Sequence, residues 1–501
     1  MHLNINQLML LCAALLLTGC YAIPDDSTTD SAQFTQPNIL FIYTDDQAPW
    51  ALGAAGNAQA FTPNMDKLAA TGMQFPNAYT TTPVCSPSRA GLLTSRYGYE
   101  LGIDDWINTH YPSMTRKEPN LGVDPSLPTW PKILQQQGYH TGLVGKWHLG
   151  ELDKFHPTAQ GYDEFVGFRS GGNKTKDPSL EKQGKVSQYQ GLTSDILTDQ
   201  AIDFIQRNRQ KRFALSLHYR APHTQWLPVA EADAAPYKEL DIKLPHPDYP
   251  NLDVKKAKRF MKEYLSSVRS VDRNIGRLLE QLKALKLTKN TLIVFTSDHG
   301  YNMAHNGIWH KGNGHWLLKD VVPAREFAQK NQRPNMYDNS IKVPTIVVWP
   351  GVVEAGSKNL STISNLDWFP TLVEIAQGQL PANAIIRGNS FLPALLDSQQ
   401  RLSTEYYAAY TTLHQSKTQM RMYSDGRYKL VKDFRNNNRD EFYDLQADPD
   451  ESQNLINTNQ PELMRIINQF DDIIFEKMLK TKDPVLNKYF PKNIDTKGHA
   501  G

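Results

Sequence analysis

Cys85 is the one cysteine outside the first 20 residues; the other two are Cys12 and Cys20. It stands in Cys85-Ser86-Pro87-Ser88-Arg89, a polar, proline-stiffened stretch. A structural thiol packs as a small hydrophobe on an apolar element, so this setting suits chemistry better than packing. Two acidic clusters could hold a metal: Asp45-Asp46 after one apolar run, and Asp298-His299 after another. Three carboxylates make a hard oxygen site of the kind Ca²⁺ takes. The nitrogen of His299 is less usual for Ca²⁺ and leaves Mg²⁺ or Mn²⁺ open. On a regular strand Asp45 and Asp46 would face opposite ways, so both reach one ion only where the strand has ended. Either cluster alone reads equally as a loop or helix-cap pair; the two together point to a metal. Lys146 and His148 alternate and so can share one face of an extended segment. Arg89 lies one helical turn after Cys85 if a helix starts there. Pro87 suits the first turn of such a helix, whose N-terminus would favour negative charge at residue 85. His223, after Pro222, and His310-Lys311 are single His and Lys residues in loops, which by themselves are weak signals.

These residues need a frame that gathers them. Asn38–Thr44 and residues 291–296 are continuous apolar runs, which read as strands buried on both faces. Each ends in metal-competent acids. In open α/β sheets sites lie beyond the carboxyl ends of the strands, so parallel strands here would bring Asp45, Asp46, Asp298 and His299 to one edge. Phe213–His218 and residues 343–349 are further predicted strands. Met261, Leu265, Val268, Val271, Ile275, Leu278, Leu282 and Leu285 recur at helical spacing and form a core stripe, not a binding groove. The alternation predicts an α/β fold with a large, mostly parallel sheet between helices. After residue 385 the pattern changes. Residues 406–410, 419–423 and 428–432 read as short antiparallel strands, and a last helix is predicted over residues 461–477. The predicted organisation is a leader over 1–19, a flexible tether over 20–36, a catalytic domain over 37–385, a smaller C-terminal α+β part over 386–490, and a tail over 491–501.

The leader carries an apolar run over residues 8–17, short of the roughly 20 residues that span a bilayer, and reads as a secretory signal. Leu17-Thr18-Gly19-Cys20 resembles a bacterial lipobox, although residues 1–19 lack Lys and Arg. The resemblance implies lipidation of Cys20. With Tyr at position 21, it also implies an exported protein anchored at the outer membrane. The net charge of +2 over 501 residues, with no basic tract, offers no footprint for nucleic acid. An anionic substrate would have to meet a local cluster of cations.

Pro83-Val84-Cys85-Ser86-Pro87-Ser88-Arg89-Ala90-Gly91-Leu92-Leu93-Thr94 resembles the signature of the formylglycine-dependent sulfatases, of the alkaline-phosphatase superfamily. Ser95 stands where that signature commonly has Gly. Gly138-Tyr139-His140-Thr141-Gly142-Leu143-Val144-Gly145-Lys146-Trp147-His148 is similar to the family's second signature. Phe442-Tyr443-Asp444-Leu445 resembles a segment near the family's C-terminus. The likeness runs over about residues 37–480 and implies an alkaline-phosphatase-like fold and sulfuric ester hydrolysis. It implies that a maturation enzyme oxidises Cys85 to formylglycine (3-oxoalanine). It further implies that Asp45, Asp46, Asp298 and His299, together with residue 85 as a ligand, bind one Ca²⁺. Arg89 and Lys146 would stabilise the hydrated aldehyde, and Lys146 with Lys311 would hold the sulfate. His148 would be the base, and His223 with Lys311 would protonate the leaving alcohol.

A tethered sulfatase suggests a sulfated poly- or oligosaccharide as substrate. Algal polysaccharide, with ulvan as the named guess, follows from overall resemblance alone. Residues 169–191 and 313–339 look like specificity insertions; His310, His315 and Trp316 are candidate substrate contacts. Two other readings stay open at this point: a phosphoric or phosphonic ester hydrolase of the same superfamily, and a non-catalytic lipoprotein that binds sulfated glycan.

Overall fold

The computed structural model describes residues 34–109 and 117–489. The predicted leader, the lipidation site Cys20, nearly all of the tether and the tail lie outside these residues. The described residues from Gln36 onward form one compact unit.

Five parallel strands make the centre of a ten-stranded sheet: β1 (Asn38–Thr44), β2 (His140–Lys146), β3 (Glu164–Phe168), β4 (Phe213–His218) and β5 (Thr291–Ser297). Their spatial order is β5-β1-β4-β2-β3, with shorter, mostly antiparallel strands at both margins. Every residue of β1, β4 and β5 is buried. That burial is why their sequences run apolar without alternation. Parallel register aligns Tyr43 with both His218 and Thr296, so the strands end level at one edge. Gly145 lets β2 close against β4: its φ is 117°, and any Cβ there would lie 1.9 Å from the His218 carbonyl oxygen. The two glycines of the Gly-Leu-Val-Gly-Lys run thus bring Lys146 to the same edge as β1.

Four helices matter to the site and its support: α1 (Cys85–Thr94), α2 (Thr193–Asn208), α3 (Val254–Ala284) and α4 (Pro461–Thr481). The stripe from Met261 to Leu282 on α3 is buried in the main core against β1, β4 and β5. It serves packing, as predicted. Burying each such aliphatic side chain contributes about 1.5–3 kcal/mol.

The second, four-stranded sheet is antiparallel: β6 (Tyr406–Thr412), β7 (Thr418–Ser424), β8 (Tyr428–Asp433) and β9 (Glu441–Asp444). Only the first three were predicted. The fourth lies inside the Phe442-Tyr443-Asp444-Leu445 segment, and Leu430 pairs with Phe442 across it. α4 covers one face of this sheet through Phe470, Ile474 and Met478. Behind it, Arg421 makes a bidentate pair with Asp483, both fully buried.

Candidate active site

Beyond the carboxyl ends of β1, β2 and β5 the chain turns sharply. Asp46 (φ 70°) and His148 (φ 61°) adopt the left-handed backbone region that few non-glycine residues accept. The turn at Asp46 brings both adjacent aspartates inward, as the sequence required if they were to share an ion. Asp46 N–H donates to Asp298 Oδ1 at 3.2 Å, joining the two acidic clusters. Tyr264 of α3 donates its hydroxyl to the Asp46 carbonyl oxygen at 2.8 Å, fixing the turn from the core.

α1 starts at Cys85, and all ten of its residues are buried. The Cys85 thiol lies 3.7 Å from Asp45 Oδ1, 3.4 Å from His299 Nε2 and 3.0 Å from Lys311 Nζ. Three cations interleave with the carboxylates. Lys146 Nζ donates to Asp45 Oδ2 at 2.6 Å, Lys311 Nζ to Asp46 Oδ1 at 2.7 Å, and Arg89 Nε to Asp298 Oδ2 at 3.0 Å. Arg89 Nη2 reaches the same Asp298 oxygen at 2.9 Å. These side chains are at most 7% exposed, so the charges must be paired or the cost of burying them would be prohibitive.

The electrostatics follow from that pairing. Burial opposes ionisation of Asp45, but Lys146, His223, Arg89 and Lys311 outweigh it and hold the carboxyl well below the usual range. Burial likewise opposes a Cys85 thiolate, and Lys146 and Lys311 override it, holding the thiol well below 9. Burial and the Lys146 ammonium push His148 down, leaving it neutral and able to accept a proton at neutral pH. Its Nδ1 is buried with no hydrogen-bond partner among the described residues. Burial pushes His223 down to about 4, against the pull of Asp46 and Asp45. His223 Nδ1 pairs with the Thr224 carbonyl at 2.6 Å, and Nε2 faces Asp46 Oδ2 at 3.9 Å.

The donors fit a divalent ion. Ligand atoms of Asp45, Cys85, Asp298 and His299 lie within 4.8 Å of one another, and those of Asp45, Asp46 and His223 form an adjoining group. Asp46 Oδ2 is buried without a hydrogen-bond donor among the described residues, an oxygen left over for a cation. A cavity of about 290 Å³ opens over Cys85. His148, His223, His310 and Lys311 face it from the large sheet, Trp106 and Ile107 from a loop, and Tyr410, Thr412 and Gln415 from the small sheet.

The structure therefore gathers Asp45, Asp46, Cys85, Arg89, Lys146, His148, His223, Asp298, His299, His310 and Lys311 in one place. It does not put His315 or Trp316 in the cavity wall. They pair with Trp309 and Ile308 in a two-stranded ribbon, where the His315 ring meets His310 edge-on at 5.3 Å. Both predicted insertions contribute, through Ser170, Gly171 and Gly172 and through Asn313. Sequence reasoning missed Asp105, which accepts the Leu413 and His414 N–H groups and ties the small sheet's turn to the cavity. It also missed Arg220, which donates to the carbonyls of His223 and Gln225 and so positions the His223 loop. An arginine three residues before the His223 motif was the available signal. Asp104-Asp105 is an acidic pair, but it follows no apolar run, so nothing in the sequence set it apart from an ordinary loop pair.

Comparison with known proteins gives the family. The family model described as Sulfatase matches residues 37–379, and that described as N-sulphoglucosamine sulphohydrolase, C-terminal, matches residues 327–480. An N-acetylglucosamine-6-O-sulfatase of Bacteroides thetaiotaomicron is 27% identical over 574 aligned positions, spanning 97% of this chain and 93% of that protein. The human N-acetylgalactosamine-6-sulfatase is 30% identical over 383 positions, 72% of this chain and 66% of its own. A solved structure in complex with its substrate D-glucosamine-2-N,6-O-disulfate superposes with a TM-score of 0.75 at 24% identity, covering 93% of this chain and all of that one. Another, in complex with k-i-k-neocarrahexaose, gives 0.69 at 25% identity, over 92% and 99% of the two chains. The chain belongs to the sulfatase family and is a sulfuric ester hydrolase.

Proposed function

We propose that this protein removes sulfate esters from a sulfated poly- or oligosaccharide, using a formylglycine made from Cys85 and a Ca²⁺ ion. The observation that carries the reading is Cys85 itself. It sits at a helix N-terminus, ringed by three carboxylates and three cations, on the floor of a sugar-sized cavity. Asp45, Asp46, Asp298 and His299 would hold the ion, which when bound supplies Lewis-acid charge to the sulfate oxygens. Oxidising the thiol to an aldehyde removes two electrons and releases the sulfur as sulfide, so it needs a separate maturation enzyme and its oxidant. The hydrated aldehyde supplies one hydroxyl to attack sulfur and a second whose deprotonation expels sulfate.

The remaining roles belong to the chain's own side chains. Lys311, 3.0 Å from Cys85, and Lys146, whose charge also acts on the thiol, offset the charge of the sulfate oxygens. Arg89 is locked on Asp298 and contributes positive potential from beneath. Neutral His148 accepts the proton of the second hydroxyl. The anionic ester raises His223 toward protonation, and His223 then protonates the departing alcohol.

Hexosamine sulfates and a neocarrahexaose are named for the relatives, which makes them the first substrates to test, ahead of ulvan. The defining experiment is the mass of the tryptic peptide 68–89 from protein expressed with a formylglycine-generating enzyme, followed by sulfate release from these glycans. An aldehyde at residue 85 with sulfate release supports the reading. An unmodified thiol, in cells that convert a control sulfatase, overturns the formylglycine route.

The same reading includes export and a lipid anchor at Cys20, on the strength of the Leu-Thr-Gly-Cys leader. Cys20→Ser is expected to move the protein from the membrane to the soluble fraction, and an unchanged distribution would refute the anchor.

A further inference from the structure

Beginning next to Lys311 of the cationic edge, a chain of side-chain amides links the large-sheet body to the turn between β6 and β7. His310 begins it. Its backbone is left-handed (φ 75°), and its carbonyl accepts from Asn302 N and Nδ2 at 3.0 and 2.7 Å. Tyr301, Trp309 and His315 pack their rings around its imidazole at 5.3–5.6 Å. His310 Nδ1 pairs with Asn313 Oδ1 at 2.5 Å, and Asn313 Nδ2 donates to Gln415 Oε1 at 2.6 Å. From the other side, Ser416 donates to Gln332 Oε1 at 2.7 Å, and Gln332 Nε2 donates to the same Gln415 oxygen at 3.1 Å.

This network orients every amide in it. Gln415 Oε1 takes two donors, so its NH₂ is the end left over. Asn313 Oδ1 takes the His310 Nδ1 proton, which leaves His310 Nε2 as an acceptor. Gln415, Asn313 and His310 all line the cavity that holds Cys85. A fixed donor and a fixed acceptor on one wall match a group that both accepts and donates. On a sugar ring that chemistry belongs to a hydroxyl or an acylamino substituent.

We propose that Gln415, braced by Asn313 and paired with His310, is a specificity-determining residue that reads a hydroxyl or acylamino group on the sugar bearing the scissile sulfate. The proposal rests on the reading above that the cavity takes a sugar sulfate. A donor lost from a built polar site costs about tenfold or more.

The test measures kcat/KM of matured wild-type and Gln415→Leu protein on N-acetylglucosamine 6-sulfate, glucose 6-sulfate and 4-nitrophenyl sulfate, which has no sugar hydroxyls. The expected result is a loss at least about tenfold greater on sugar sulfates than on the aryl sulfate. Loss confined to the N-acetyl substrate identifies an acylamino group, and loss on both sugars identifies a hydroxyl. Equal losses on all three, or none, overturn the inference while the glycan reading stands. A wild type that cleaves only the aryl sulfate overturns the glycan reading and this inference with it. Gln415→Glu keeps the acceptor and the side-chain size, and gives the same comparison if the leucine variant does not fold.

Discussion

At the carboxyl edge of the large sheet, Asp45, Lys146 and Asp298 leave parallel strands and are fully buried. On the wall of the same cavity, Asn313 and Gln415 sit on turns and are half-buried. The first group is held by sheet register and by charge: each carboxylate is gripped by a cation from a different element. The second is held by a chain of neutral hydrogen bonds between loops. Rigid strand ends suit groups whose positions the reaction fixes, and turns suit groups whose identity can change with the substrate. The difference teaches that turnover and selectivity reside on separate structural layers that share one cavity.

Substitutions can break or sharpen that contrast. Cys85→Ala should lower turnover by about 10⁴-fold or more, read as sulfate release, because the nucleophile goes with it. Asp298→Ala should lose bound metal and activity together, since it also releases Arg89; full activity with metal retained would contradict the assigned edge. Chelation of the wild type should abolish sulfate release, Ca²⁺ should restore it, and the metal should raise the melting temperature because it binds only the folded state. Gly171→Ala should cost roughly 10–100-fold in kcat. Its Cβ would lie 2.5 Å from the His148 ring, and the ring must move. The smallest effect on turnover is expected from Arg421→Ala, behind the small sheet. That variant should lose about 3–5 kcal/mol in denaturant unfolding by stranding the buried Asp483. Its kcat should fall less than that of Gly171→Ala. A larger fall would mean that the two layers are coupled.

The large sheet and its charged edge were legible because their causes are local in sequence. Continuous apolar runs mark strands buried on both faces, and each run stops at the acid that follows it. The α3 stripe was equally plain, since its period matches the helix it forms. β9 was hidden because Phe442-Tyr443 is short and paired only on one side, to β8. Asp105 and Gln415 left no trace of their role, because polar residues in a turn look like any solvated loop, and Asn313 stood out only as the first residue of a predicted insertion. Only the folded chain shows that residues 310, 313 and 415 share one wall. His315 and Trp316 suggested a sugar platform by composition, yet their side chains are committed to a small ribbon beside the cavity.

The complete burial of α1 also sets an order of events. Cys85 is 3% exposed, and the nine residues after it are packed as tightly. A modifying enzyme must grip several residues around the thiol, and the finished fold offers it none of them. With residue 85 converted as proposed, oxidation would have to precede docking of this helix, and maturation would then race folding. Protein purified with an intact thiol should resist conversion until it is unfolded, and a variant that folds faster should emerge less completely converted.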